Sequence, residues 1–179
     1  MKSISAPPLS NRVLQINVGF LLSAGSGQYS DVSMEISDPV KISEELTAQE
    51  IQGVIRLTRA KEGILAQTDV IVHIERECSR CLDQFVHPVR VKVEELYAHP
   101  QPLEETEFFI GQDAKLDLAP LLRAELLIAL SQRAFCREDC KGLCATCGIN
   151  LNHETCDCEN EKIDPRMAKL KELLDAGDA

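Results

Sequence analysis

Apolar and polar positions alternate with a two-residue period over much of the first hundred residues. Val89, Val91 and Val93 alternate with Arg90, Lys92 and Glu94, which predicts a strand over 85–97 with one buried and one wet face. Val70, Val72 and Ile74 are interleaved with Asp69, Ile71, His73 and Glu75, predicting a long strand over 64–77. A strand over 51–60 precedes it across the turn Lys61-Glu62-Gly63. Nearer the start, Val13, Leu14, Ile16, Val18 and Phe20 suggest a strand over 12–22. Gly25-Ser26-Gly27 then turns the chain into a strand over 28–36, where Val32, Met34 and Ile36 alternate. Residues 37–50 are acidic and weakly patterned. The short connections favour antiparallel pairing.

The period changes after an acidic loop over 99–112, in which Phe108-Phe109-Ile110 reads as a short strand or anchor. Leu118, Leu121, Leu122, Leu126 and Leu130 lie mostly on one stripe, so 116–130 is predicted as a helix packed on the sheet. Asp117 can cap it and Pro120 suits its first turn. A final amphipathic helix starts at Asp164-Pro165, presents Met167, Leu170, Leu173 and Leu174, and ends at Gly177.

Composition narrows the classes. Aromatics are 4% of the 179 residues and Trp is absent, so the core must be aliphatic. The balance of 19 Lys+Arg against 29 Asp+Glu gives a net charge of −10. Proteins that bind duplex nucleic acid through counterion release are usually basic. Contact with RNA here requires a local basic face or a protein intermediary. No apolar run approaches the ~20 residues of a membrane span. The start of the chain carries no apolar signal core, and the expected location is the cytoplasm.

In that reducing compartment, eight cysteines point to metal ligands more than to disulfides. They are Cys78, Cys81, Cys136, Cys140, Cys144, Cys147, Cys156 and Cys158. Two pairs have the Cys-x-x-Cys spacing, Cys78-Ser79-Arg80-Cys81 and Cys144-Ala145-Thr146-Cys147. This spacing lets two thiolates reach one ion while the intervening amides point at the sulfurs. Gly148 after the second pair relieves a turn of positive φ. The first pair falls at the tip of the hairpin formed by strands 64–77 and 85–97.

A structural zinc site takes four ligands. The preferred partition is Cys78, Cys81, Cys136 and Cys140 around one ion, and Cys144, Cys147, Cys156 and Cys158 around another. The second set is local, while the first ties the hairpin to the helix exit. A single Zn2+ or an arrangement using His153 stays open. Redox thiols and an iron–sulfur cluster are the rival uses. Cys140, Cys144 and Cys147 have the spacing of a radical-SAM cluster, but they lie near the end of a strand-rich chain. His153-Glu154 lacks the second His of a zinc-protease helix. His73, His87 and His99 read as surface residues, and no Ser/His/Asp set, phosphate loop or dinucleotide fingerprint appears. The expected fold is therefore α+β. It is an antiparallel β-sheet or partial barrel with one packed helix (12–135), then a cysteine-rich zinc-binding segment with the final amphipathic helix (136–179).

Cys78-x-Arg80-Cys81-Leu82, then Asp139-Cys140-Lys141-Gly142-Leu143-Cys144-x-x-Cys147-Gly148-x-Asn150-Leu151-Asn152, then Cys156-x-Cys158 and Asp164-Pro165-Arg166, together resemble the YceD family over roughly 12–175. Ala145 stands where that pattern usually has Pro. The resemblance implies a role in synthesis or accumulation of large-subunit ribosomal RNA. It further implies a non-enzymatic factor that binds pre-ribosomal RNA or a large-subunit ribosomal protein. On the RNA reading, Arg76, Arg80, Arg90 and Lys92 near the first knuckle are the contacts, with Arg56, Arg59 and Lys61 beside them. Their alternative role is pairing with Glu75, Glu77 and Glu94. On the protein reading, Glu104, Glu105, Glu107 and the region 31–50 meet a basic partner. A zinc-dependent RNA-processing hydrolase would need a carboxylate at the metal, for which Glu77 and Asp83 are the candidates. A thiol redox sensor is the third class. No small-molecule substrate or membrane partner is evident.

Overall fold

A computed structural model describes residues 10–100 and 107–158. Four strands form the body of an antiparallel sheet in the order β2-β4-β5-β6: β2 (Tyr29–Ile36), β4 (Thr47–Ala60), β5 (Gly63–Glu77) and β6 (Gln84–Ala98). The two-residue β3 (Val40–Lys41) pairs with the start of β4, beyond the end of β2. β1 (Gln15–Asn17) and β7 (Lys115–Asp117) form a separate antiparallel pair. The sheet is open, since no pairing joins β2 to β6 among the described residues.

Alternation decides which side chains enter the core. Ile64, Ala66, Val70, Val72 and Ile74 of β5 are buried together with Val89, Val91 and Tyr97 of β6. Asp69, Ile71, Arg90 and Lys92 stand on the opposite face, with Asp69 registered against Lys92 and Ile71 against Arg90. One-residue slippage would invert both faces, so register and burial enforce one another. These side chains belong to one largely aliphatic cluster that takes in Leu118, Leu121, Leu122 and Leu126.

The helix over that face is α2 (Ala119–Leu130), and it packs against β6. It starts later than the periodicity predicts because 115–117 pair with β1. Asp117 accepts the Ala119 N–H at 2.9 Å, which satisfies a donor of the first turn. Pro120 occupies that turn as expected. The larger correction lies at 12–22, which is not one strand. It folds as a 3-10 turn (Asn11–Leu14), β1 and a one-turn helix α1 (Gly19–Leu22). The buried side chains there are Leu14, Val18 and Leu21, spaced four and three apart, while Phe20 is 61% exposed. The Asn17 side chain accepts the Gly19 N–H at 3.0 Å and breaks the extended run.

In the acidic loop, Phe109 bridges to Ala98 and Ile110 is buried, so this segment anchors the end of β6. Residues 101–106 and the final helix expected from Asp164 lie outside the described residues.

Gly63 closes the β4–β5 hairpin opposite Ala60 at φ +154°. A Cβ there would be driven into the Tyr97 carbonyl, whereas one at Gly25 meets nothing within 4 Å. Gly63→Ala is therefore expected to lower the unfolding free energy by at least about 2 kcal/mol in urea titration. Gly25→Ala should stay within about 0.5 kcal/mol of the parent.

Candidate metal centre

The β5–β6 hairpin is paired as far as Glu77 and Gln84, so its tip is 78–83. Cys78 donates its N–H to the Asp83 carbonyl at 2.9 Å and accepts the Leu82 N–H at 3.0 Å. Leu82 sits at φ +61°. The second Cys-x-x-Cys repeats this local design. The Gly148 N–H reaches the Cys144 carbonyl at 2.9 Å, and Gly148 has φ +76°. Both turns curl the backbone so that amides face sulfur. The positive φ suits the glycine and strains the leucine.

After α2 the chain returns past the tip, where the Ser79 N–H reaches the Ala134 carbonyl at 2.9 Å. This return delivers Cys136 and Cys140. The Sγ atoms of Cys78 and Cys140 are 3.8 Å apart and those of Cys81 and Cys136 are 3.7 Å apart. The four sulfurs lie within 4.8 Å of one another, as do those of Cys144, Cys147, Cys156 and Cys158. A disulfide needs about 2.05 Å, and none of the eight cysteines is in one. Four sulfurs about 2.3 Å from a central ion would stand roughly 3.8 Å apart at the corners of a tetrahedron. Each cluster can therefore hold a metal ion, and the spatial grouping is the one preferred from the spacing.

The surroundings divide the thiols, favouring the thiolate at Cys78, Cys140 and Cys144 and opposing it at Cys81, Cys136, Cys156 and Cys158. Burial pushes the Cys78 thiol up, but the N–H groups of Cys81, Cys136 and Arg80 outweigh it and bring it down to about 6. The N–H groups of Cys147 and Thr146 likewise bring Cys144 down to about 6. Cys78, Cys81 and Cys140 are buried with Phe85 against them, whereas Cys147 is exposed.

The two clusters are joined by side chains to which the sequence reading gave no such role. The Asn150 amide donates to both carboxylate oxygens of Asp83 at 3.0 Å, and His153 Nε2 lies 3.0 Å from the same group. Those hydrogen bonds, Asn150 first, hold the Asp83 carboxyl below its ordinary range. Asn152 donates to Cys140 Sγ at 3.4 Å while its oxygen accepts from the Lys141 N–H and Arg137. The Leu143 N–H reaches the Arg80 carbonyl at 3.1 Å. Asp83, a candidate carboxylate for hydrolysis, thus binds the loop within the second cluster to the hairpin. Glu77, the other candidate, is within hydrogen-bonding reach of Gln84. The Asn150-x-Asn152 pair beside a Cys-x-x-Cys-Gly was the available signal for this bracket.

The four proposed RNA contacts are not brought to one surface. Arg76 points to the helix-covered side and donates to the Leu130 and Gln132 carbonyls at 2.9 and 2.7 Å. Arg80 donates to the Glu138 and Cys140 carbonyls and lies 4.4 Å over the Phe135 ring. Arg90 forks onto Asp69 at 2.9 and 2.8 Å on the outer face, where Lys92 is also exposed. Arg56 similarly forks onto Asp31. Aspartates, not the three glutamates, are therefore the ion-pair partners of Arg56 and Arg90.

Residues 67–174 match the family described as "Large ribosomal RNA subunit accumulation protein YceD", a span that holds both clusters. The chain belongs to the YceD family. An uncharacterised protein of Mycobacterium tuberculosis is 34% identical over 149 residues, covering 78% of this chain and 71% of that relative. YlbN of Bacillus subtilis is 28% identical over 56% of this chain and 60% of its own. "Large ribosomal RNA subunit accumulation protein YCED homolog 1, chloroplastic" of Arabidopsis thaliana is 31% identical over 70 residues, or 39% of this chain and 22% of that protein. No solved structure matches. The family description names an accumulation role and no reaction. Among the described residues no helix is long and apolar enough to cross a membrane.

Asn152→Ala removes a hydrogen bond to the Cys140 sulfur of the first cluster. Such losses typically cost about 10–100-fold in metal affinity. The first cluster is expected to bind Co2+ at least about tenfold more weakly, read by competition against a chromophoric chelator, with the far-UV spectrum unchanged.

Proposed function

We propose that this chain is a non-enzymatic factor of large ribosomal subunit biogenesis whose eight cysteines hold two structural zinc ions. Its exposed surfaces engage a ribosomal protein or pre-ribosomal RNA in the cytoplasm. The unit 12–135 supplies the scaffold and 136–179 the metal-binding segment, stapled together through Cys78 and Cys81. Membership of a family described by accumulation of large-subunit ribosomal RNA supports the ribosome-related part.

The observation that carries the non-catalytic part is the donor count. Each cluster presents four sulfurs within 4.8 Å. Structural zinc uses four protein ligands, and catalytic zinc keeps one position for water or substrate. Soft thiolates in tetrahedral array favour zinc over hard cations. Bound zinc supplies a cross-link and charge neutralisation for clustered thiolates. The chain's own residues do the rest: the knuckle amides orient the sulfurs, and Asn150, Asn152 and Asp83 hold the two cysteine segments in place.

Arg76, Arg80 and Arg90 already have partners within the chain, and the net charge is −10. Both facts favour a basic protein partner over RNA bound directly through those arginines. The RNA branch would draw on Lys92 and on arginines released from their present partners.

Metal analysis of the purified full chain is expected to give two zinc ions, with X-ray absorption reporting four sulfurs around each. Cys78→Ser should lose one ion and keep the other. A water oxygen in either shell would overturn the closed-site reading, and a nitrogen ligand would replace one of the eight thiolates in it. In a salt titration on ribosomal RNA alone, affinity is expected to be weak. A steep fall with salt would support direct RNA binding instead.

A further inference from the structure

Among the described residues β2 is paired on one side only. Its eight residues meet β4 in continuous register from Tyr29↔Thr58 to Ile36↔Ile51. Among the described residues, no strand pairs with its other edge and no turn or loop backbone hydrogen bond reaches it. Natural sheets usually guard such an edge with Lys, Pro or a bulge. The β2 sequence Tyr-Ser-Asp-Val-Ser-Met-Glu-Ile has no Lys, Arg or Pro, and its register contains no bulge.

The unpaired edge borders a groove of about 720 Å³ whose opposite wall is β1. Ile16, Val32 and Ile36 line it; they pack against the main core yet are only partly buried. The core is thus incompletely covered where a further strand would lie. The charged lining residues are Glu35 and Asp38, both exposed, and no cation is among the lining side chains.

We propose that this groove is a docking lane in which an extended cationic segment of a partner protein adds to β2 as another strand. Main-chain hydrogen bonds to the vacant edge would supply the affinity. Alternate apolar side chains would cover Ile16, Val32 and Ile36, and basic ones would reach Glu35 and Asp38. This is strand addition to a free sheet edge. Charge selects the occupant. A second copy of this chain would bring its own Glu35 and Asp38 into the same lane, and a cationic segment neutralises them. The inference does not depend on the ribosome-related reading, which rests on family membership, so either can fail alone.

The probe is a capped peptide of alternating Lys and Val, eight residues long, added to the full metal-loaded chain. Binding is expected to slow hydrogen exchange selectively at the β2 amides that face away from β4. The same peptide N-methylated throughout, and a Glu-Val counterpart, should each bind at least about tenfold more weakly. The double substitution Glu35→Lys with Asp38→Lys should cause a similar loss, with far-UV spectrum and metal content unchanged. Equal binding by the N-methylated peptide, or protection confined to another surface, would overturn the proposal. So would protection, without peptide, of the β2 amides that face away from β4, whether by residues 1–9 of the chain or by self-association that rises with protein concentration. Should the double variant misfold, the two control peptides on the unaltered chain decide the matter.

Discussion

Convergence of sulfur atoms from distant parts of the chain is the constraint on which the arrangement rests. Cys78 and Cys140 are 62 residues apart in sequence, and their sulfurs stand 3.8 Å apart. Thiolates this close repel one another unless amides and a cation compensate. The long β5–β6 hairpin, with side chains committed to the core along most of its length, fixes where its tip lies. The helix α2, held to β6 by buried leucines, fixes where the chain returns. Sheet register and helix docking thus set the cluster geometry, and the cluster ties the two ends of that path together.

The same constraint explains how the basic side chains near the hairpin are used. Arg76 and Arg80 donate to carbonyls left unpaired where α2 ends and where 136–140 loop around the sulfurs. Guanidinium groups satisfy several such acceptors at once. Arg56 and Arg90 are neutralised by aspartates one strand away. What looked like a positive patch along the sequence is divided between two faces of the sheet and is largely internally paired. The acidic surplus remains, in keeping with a positively charged partner and with the cation-free groove beside β2.

Legibility followed the regularity of the local pattern. β5 and β6 were readable because strict alternation in a sheet covered on one face leaves little ambiguity. The segment 12–22 departs from the expected strand because its buried Leu14, Val18 and Leu21 have helical spacing that nearby Val13, Ile16 and Phe20 obscure. Residues 115–117 have a strong helical neighbour, and only the presence of β1 draws them into a strand pair. Asn150 and Asn152 stood in plain view beside the cysteines. That local pattern signals a bracket, but what it holds depends on Asp83 and Cys140 arriving from elsewhere.

By itself the sequence determined the donor chemistry: eight thiols, two of the pairs in turns whose amides can face sulfur, and an aliphatic sheet to carry them. Those properties follow from residue type and short spacing. The tertiary structure alone decided which thiols meet, which arginines keep any freedom to bind, and which strand edge has no partner among the described residues. Each of these depends on register and packing between segments dozens of residues apart, where a shift of one residue exchanges the two faces of a strand.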